Sequence, residues 1–388
     1  MLVRCTPRVT RGTEESTMGL AYDAAVIGQR IEAVDTPALF VDLDAFERNV
    51  KRMASTINGA GVGWRPHTKG IKVPALAHRL IAAGAFGVTC AKVSEAEVMA
   101  DAGIRDILVA NQVLGDTKVR RFAALCLRAD PIVAVDSVEG ISQLNRAASE
   151  YGVRPRVLVE VDSGMGRCGT TPGDATVSMA QRVADAGHLR FAGVMAWEGH
   201  AAGIADADEK RAAVVEAIGK LVSSADACRA EGLPVDIVSC SGTGTYMIAA
   251  HQPGVTELQA GGGVWGDVHY RDHFGVDHEC ALRVITTVVS RPADTYIVTD
   301  GGFKTLGSIN AMAEPVGIPA SHVERFTLSA EHGNLRLNSP ETRLRPGDRL
   351  EWIVGYSDAT VFMHDEILGV RGGVVESTWR IEGRGKLK

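Results

Sequence analysis

The sequence predicts an α/β chain: a TIM-type (β/α)8 barrel followed by a mostly antiparallel β domain. Three observations carry this. From residue 36 to 265, short β-branched runs alternate with longer amphipathic stretches, the pattern of parallel strands joined by helices. After Gly266 the texture changes to strands separated by Gly, Pro and Asn turns. And the 388 residues exceed one ordinary domain.

The elements follow in order. ALFVDL (38–43) reads as a strand, with Asp44 as the expected N-cap of the helix after it. Phe46, Val50, Met53 and Ile57 recur at i, i+4, i+7 and i+11, one apolar helical face. VGWRPH, FGVTCA, DILVAN, PIVAV, RVLVEV, FAGVMA, VDIVSC and VTELQA are the next strands, with helices between most of them, for example over 138–150 and 206–230. Eight or nine such units suit a closed barrel better than an open sheet. ALRVITTVVS, TYIVTDGG, RFTLSAEHG, RLEWIVGY and GVVESTWRI are the strands of the second domain. The expected division is an N-terminal extension at 1–33 packing on the β domain, the barrel at 34–270, and the β domain at 271–388.

Composition narrows the function classes. Hydrophobic residues make up 45%, charged residues 23%, and the net charge is −6, with no Lys/Arg cluster, which argues against a nucleic-acid partner. No apolar run approaches the roughly 18 residues of a membrane helix. The first twenty residues carry Arg4, Arg8 and Arg11 without an apolar core, so they do not read as a secretory signal. Seven scattered cysteines with no C-x-x-C pair favour reduced thiols and a cytoplasmic protein.

Barrel enzymes place their chemistry at the C-terminal ends of the strands. Five polar or glycine-rich segments fall there: Thr68-Lys69, DSGMGRCG with Asp162 and Arg167, Trp197-Glu198-Gly199-His200, SGTGTY, and Gly261-Gly262-Gly263. SGTGTY and the triple glycine can cradle a phosphate on backbone N–H groups without a lysine. No G-K-[ST] follows, so ATP is not the expected ligand. A phosphate site on the same face as a strand-end lysine suggests pyridoxal phosphate bound to Lys69 as a Schiff base. Lys72 reads as first-turn helix decoration, and the residue-level alternative for Arg167 is an ion pair with Asp162.

DTPALFVDLDAFERNV, RPHTKGIKVPALA, VSEAEVMADAGIRDILVAN, VEVDSGMGRCG, SGTGTY, ELQAGG, SAEHG and HDEILGVRGGVVESTW, in that order, resemble fold-type III pyridoxal-phosphate enzymes. The group they resemble holds D-threonine aldolase, 3-hydroxy-D-aspartate aldolase and D-serine dehydratase, relatives of alanine racemase. The resemblance implies a homodimer with active sites near the subunit interface. It implies Lys69 as the Schiff-base lysine and Arg167 near the cofactor's phenolic oxygen. Gly242, Thr243, Gly244, Thr245, Gly261 and Gly262 become the phosphate-binding backbone. It further implies a lyase on D-3-hydroxy-α-amino acids releasing an aldehyde and glycine or a related amino acid, with dehydratase and racemase as alternatives. A non-catalytic pyridoxal-phosphate carrier is the reading from another class; such carriers are single barrels, and the β domain argues against it.

Three departures stand out. The family's metal-binding H-x-[DC] pair is replaced by Tyr356-Ser357-Asp358; a usual tyrosine is Trp197; and Gly263 stands where relatives place another tyrosine, predicting a wider pocket. Two readings follow. A divalent metal (Mg²⁺, Mn²⁺ or Zn²⁺) persists on Asp358 with help from His332, His200 or water. Or the metal is lost, and Tyr356 or a histidine such as His332 handles the β-hydroxyl proton. His364-Asp365 matches a family pattern and equally suits structural support.

Overall fold

The computed structural model describes residues 25–388, so the reading of the first twenty residues, and Cys5, lie outside it. The first strand, β1 (Ala38–Asp42), is not part of the barrel. It pairs antiparallel with Leu282–Ile285 and parallel with Leu368–Val370, in the second sheet. A strand followed by a helix looks alike in sequence whichever sheet it joins. What decides here is a separate apolar cluster of Ile31, Val34, Phe40, Ile285, Leu368 and Val375. The helix Leu43–Gly59 follows, capped by Asp42 rather than Asp44: the Asp42 carboxylate accepts the amides of Asp44 and Ala45, each at 3.1 Å. Phe46, Val50, Met53 and Ile57 are all buried along one face, as the periodicity requires.

Eight parallel strands then build the barrel: β2 (Gly63–Trp64), β3 (Val88–Cys90), β4 (Asp106–Gln112), β5 (Asp130–Val135), β6 (Arg156–Glu160), β7 (Arg190–Met195), β8 (Ile237–Cys240) and β9 (Glu257–Leu258). Their order is β2-β9-β8-β7-β6-β5-β4-β3. The circle closes through a parallel bridge between His67 and Thr89, where Thr89 N–H donates to Pro66 O and Thr68 N–H to Thr89 O. Helices such as Val138–Tyr151 and Ala207–Ala230 pack outside. The strand starts collect charge. Arg65, almost fully buried, meets Glu257 at 3.0 and 3.1 Å and Asp106 at 2.6 Å, and Arg156 meets Asp106 at 2.8 Å. At this end of a barrel such a cluster serves stability, not chemistry.

The second sheet holds β1 with β10 (Leu282–Ala293), β11 (Tyr296–Thr299), β12 (Glu314–Pro315), β13 (Val323–Leu328), β14 (Gly333–Leu337), β15 (Arg349–Ile353), β16 (Glu366–Arg371) and β17 (Val374–Arg380). Every pairing is antiparallel except β1 with β16. Gly372 and Gly373, both at positive φ, make the two-residue turn between β16 and β17. Residues 28–31 run along β17, with Gly28 N–H donating to Val375 O and Ile31 N–H to Gly373 O. Among the described residues no helix is long and apolar enough to cross a membrane.

Candidate active site

A cavity of about 520 Å³ opens at the C-terminal ends of the barrel strands. Lys69, Arg167, Gly242, Thr243, Gly261, Gly262 and Tyr356 all line it, so four widely spaced barrel segments and a residue of the second domain converge. The Lys69 ammonium lies 3.1 Å from Asp358 Oδ2, which also accepts the Tyr356 hydroxyl at 3.1 Å. Gly70 makes this approach possible, because a Cβ there would run into the Asp358 carboxylate. His67 Nδ1 accepts the Lys69 amide at 3.3 Å. Desolvation, reinforced by the charges of Lys69 and Lys72, holds that imidazole neutral, well below its ordinary range.

Around the glycine turns the backbone is bare for a structural reason. A Cβ on Gly242 would lie 2.5 Å from the Trp197 ring, one on Gly261 would lie 2.6 Å from His67 N, and one on Gly262 would lie 2.5 Å from Tyr270 Cζ. Behind the SGTGTY turn sits Glu198, 1% exposed, accepting the Thr245 hydroxyl at 2.5 Å and the Ser241 amide at 3.3 Å. Burial pushes its carboxyl upward, against these hydrogen bonds. Gly244 and Thr245 are not themselves cavity-lining; Thr245 serves the turn through Glu198.

Several partners differ from those read in the sequence. Arg167 pairs with Glu160 at 3.7 Å, and Glu160 also accepts from the Gln112 amide. Asp162 instead accepts the amides of Gly164 and Gly166, organising the loop, since it sits at the turn's start and its carboxylate reaches forward to the amides that follow. Lys72 is no surface decoration: it is buried, has φ 56°, and its ammonium lies 3.8 Å from the fully buried Glu95. Gly263 does not widen the pocket. Its Cβ direction is filled by Thr243, His278 and Met53, and its amide donates to Thr243 at 2.8 Å. His332 lies in the exposed turn between β13 and β14, and His200 starts a short surface helix; neither lines the cavity. His364 is tied to Thr305 O at 2.8 Å, a supporting role.

One element escaped the sequence reading. His269–His273 forms a π-helix, a rare conformation often found at functional sites. It puts His269 and Tyr270 on the cavity wall, with Phe274 just after it. The His269 ring stands 4.8 Å from Tyr356, 4.6 Å from Phe274 and 4.9 Å from His273. The dense aromatic and imidazole content of HYRDHF was the available signal. Asp267 anchors this helix, accepting the Tyr270 amide at 2.8 Å and the Ser357 amide at 2.7 Å.

Residues 41–269 match the family described as alanine racemase, N-terminal domain, and residues 281–370 match the putative serine dehydratase domain. The chain is 34% identical over 391 residues to the 3-hydroxy-D-aspartate aldolase of Paracoccus denitrificans (strain Pd 1222), covering 96% of this chain and 98% of that protein. It is 34% identical over 378 residues to the D-threonine aldolase of an Arthrobacter species, covering 96% and 99%. The crystal structure of D-threonine aldolase from Filomicrobium marinum superposes with a TM-score of 0.90 at 38% identity, covering 93% and 99%. The chain belongs to the alanine-racemase-like, fold-type III pyridoxal-phosphate enzymes.

In this family setting the cavity fits the cofactor: a lysine at one strand end, an arginine across from it, and glycine turns whose bare backbone suits a phosphate. A divalent metal at Asp358 fits poorly. Oδ2 is shared by an ammonium and a phenol, while Oδ1, buried without a hydrogen-bond partner, faces Gly70 rather than the cavity. Burial, with the charge of Asp358 behind it, pushes the Tyr356 hydroxyl far up, so it remains a donor and not an anionic ligand. Among the described residues no group of three or more His, Cys, Asp or Glu side chains is placed to hold an ion.

Proposed function

We propose that this chain is a pyridoxal-phosphate-dependent lyase that cleaves D-3-hydroxy-α-amino acids between Cα and Cβ, giving an aldehyde and glycine or a related amino acid. One observation carries the reading: Lys69 and the glycine turns meet in a single strand-end cavity of a chain that resembles aldolases along almost its whole length.

When bound, the cofactor supplies an electron sink for the pair released as the Cα–Cβ bond breaks. The chain's residues then have these tasks. Lys69 holds the cofactor covalently, and Asp358 fixes the direction from which its amine approaches. Arg167, steadied by Glu160, serves the cofactor's ring oxygen. Gly242, Thr243, Gly261 and Gly262, which line the cavity, hold the phosphate, while Gly244 and Thr245 shape the first turn, braced from beneath by Glu198. Tyr356, a lining residue whose proton is directed to Asp358, keeps its phenolic oxygen as the acceptor for the substrate's β-hydroxyl. His332 has no place in this scheme within one chain, and its exposure leaves it for the expected homodimer contact. The reading includes a homodimer acting in the cytoplasm.

The test is product analysis with purified holoenzyme on D-threonine, D-3-hydroxyaspartate and D-serine. Glycine with an aldehyde supports the proposal. A keto acid with ammonia would make the chain a dehydratase, and an L-enantiomer would make it a racemase. Lys69→Ala should abolish the visible Schiff-base absorption; a colourless wild-type protein after cofactor addition would overturn the reading.

A further inference from the structure

We infer that the cavity accepts a substrate whose β-substituent is uncharged and apolar, an aryl or branched alkyl group lying on the aromatic wall of His269, Phe274 and Tyr356, and rejects a second carboxylate. This rests on the lyase reading, which sets the β-hydroxyl against Tyr356. The β-substituent shares a carbon with that hydroxyl, so it lies within a bond or two of the same wall.

Two sets of observations support it. The first is charge. Among the described residues lining the cavity, Lys69 and Arg167 are the only lysine and arginine, and each is already paired, with Asp358 at 3.1 Å and with Glu160 at 3.7 Å. Gln112 is spent on Glu160. His269 is held neutral by burial, with the neighbouring His273 adding to the effect. A second carboxylate would leave water for a cavity that already carries Glu160 and that, within one chain, offers no unpaired lysine or arginine to meet it.

The second is shape and polarity. His269 lies 4.8 Å from Tyr356 and 4.6 Å from Phe274, and Tyr270 lies 6.1 Å from Tyr356 and 5.6 Å from Phe274, so four rings form one contiguous surface. Such rings take another ring edge-on or offset with a gain beyond simple burial.

The experiment compares kcat/KM of the holoenzyme for D-3-phenylserine and D-3-hydroxyaspartate. In parallel, the cofactor's absorption change reads the binding of D-phenylalanine and D-aspartate, which lack the β-hydroxyl. The expected result is a preference of at least about tenfold for the phenyl member of each pair. Phe274→Arg should move both ratios toward the dicarboxylate, while Phe274→Leu should leave the preference for the apolar member in place. Parity, a reversed ratio in the wild type, or ratios that Phe274→Arg does not move would overturn the inference. If neither hydroxy acid is cleaved, the lyase reading fails, and the D-phenylalanine to D-aspartate binding ratio still decides the side-chain preference.

Discussion

Replacing Gly262 with alanine puts the glycine cradle to a quantitative test. The new methyl would stand 2.5 Å from Tyr270 Cζ and 2.7 Å from Cε2, well inside the roughly 3.5 Å at which such atoms meet. Tyr270 cannot simply swing away. It is 6% exposed and packed between Phe274 at 5.6 Å and Tyr356 at 6.1 Å. The backbone of the turn therefore yields instead. Overpacking of this kind costs about 1–3 kcal/mol. If the displaced amide is one that holds the phosphate, the cost appears as a cofactor Kd raised roughly five- to hundredfold. Cofactor titration followed by visible absorption measures it. Adding Tyr270→Ala should recover part of the loss, since it removes the obstructing ring. Gly219→Ala is the matched control: it lies exposed in the helix Ala207–Ala230 with nothing within 4 Å of its Cβ position, and should stabilise the fold by up to about 1 kcal/mol without touching Kd. A Gly262→Ala protein that binds cofactor as tightly as the wild type would refute the cradle.

Three further outcomes are expected. Glu257→Gln strips the buried Arg65 of its two-pronged partner and leaves only Asp106, so urea denaturation should show a loss of about 3 kcal/mol; a loss under about 1 kcal/mol would contradict the network. Asp267 is pushed up to about 7 by burial from an ordinary 3.8, so the folded chain holds its proton more tightly than the unfolded chain does. Its stabilising contribution is therefore complete below about pH 4 and is lost as pH rises to about 7, with a slope of at most about 1.4 kcal/mol per pH unit that Asp267→Asn should remove from stability-versus-pH curves. Finally, because the Asp358 surroundings suit no divalent ion, dialysis of the holoenzyme against a chelator should leave turnover within error of the untreated enzyme; loss restored by Mn²⁺ or Mg²⁺ would show the donor set to be misjudged.

The comparison of sequence with structure separates local from distant information. Phe46, Val50, Met53 and Ile57 announced a buried helix face because a period of 3.6 is a local property, and the barrel strands announced themselves by their short apolar runs. Lys69, Arg167 and the glycine turns could be gathered from the sequence because strand ends of a barrel share one face, and the family resemblance added Tyr356; all of them line the one cavity. What could not be read depends on partners far along the chain. Nothing near residues 38–42 says that they pair with residues 282–285. Nothing near Lys72 says that Glu95 lies beneath it, and nothing near Arg167 favours Glu160 over Asp162 until the loop's path is known. Glu198 looked like one polar residue in a run of four; only the crossing of β7 and β8 puts it under Thr245. The exposure of His332 came likewise from β13 and β14 forming a hairpin that leaves it in the turn, outside the cavity lining.

The closure of the barrel has one more meaning. The seam between β2 and β3 is closed by the His67–Thr89 bridge and a few further hydrogen bonds, Phe86 N–H to Trp64 O and the Thr89 hydroxyl to Arg65 O among them, and Lys69 is the second residue beyond the bridge. The strand end that carries the reactive amine is thus also one side of the seam that shuts the cylinder. A chain whose seam has parted has no site to load, and a ligand anchored on Lys69 draws the population toward the shut form by mass action.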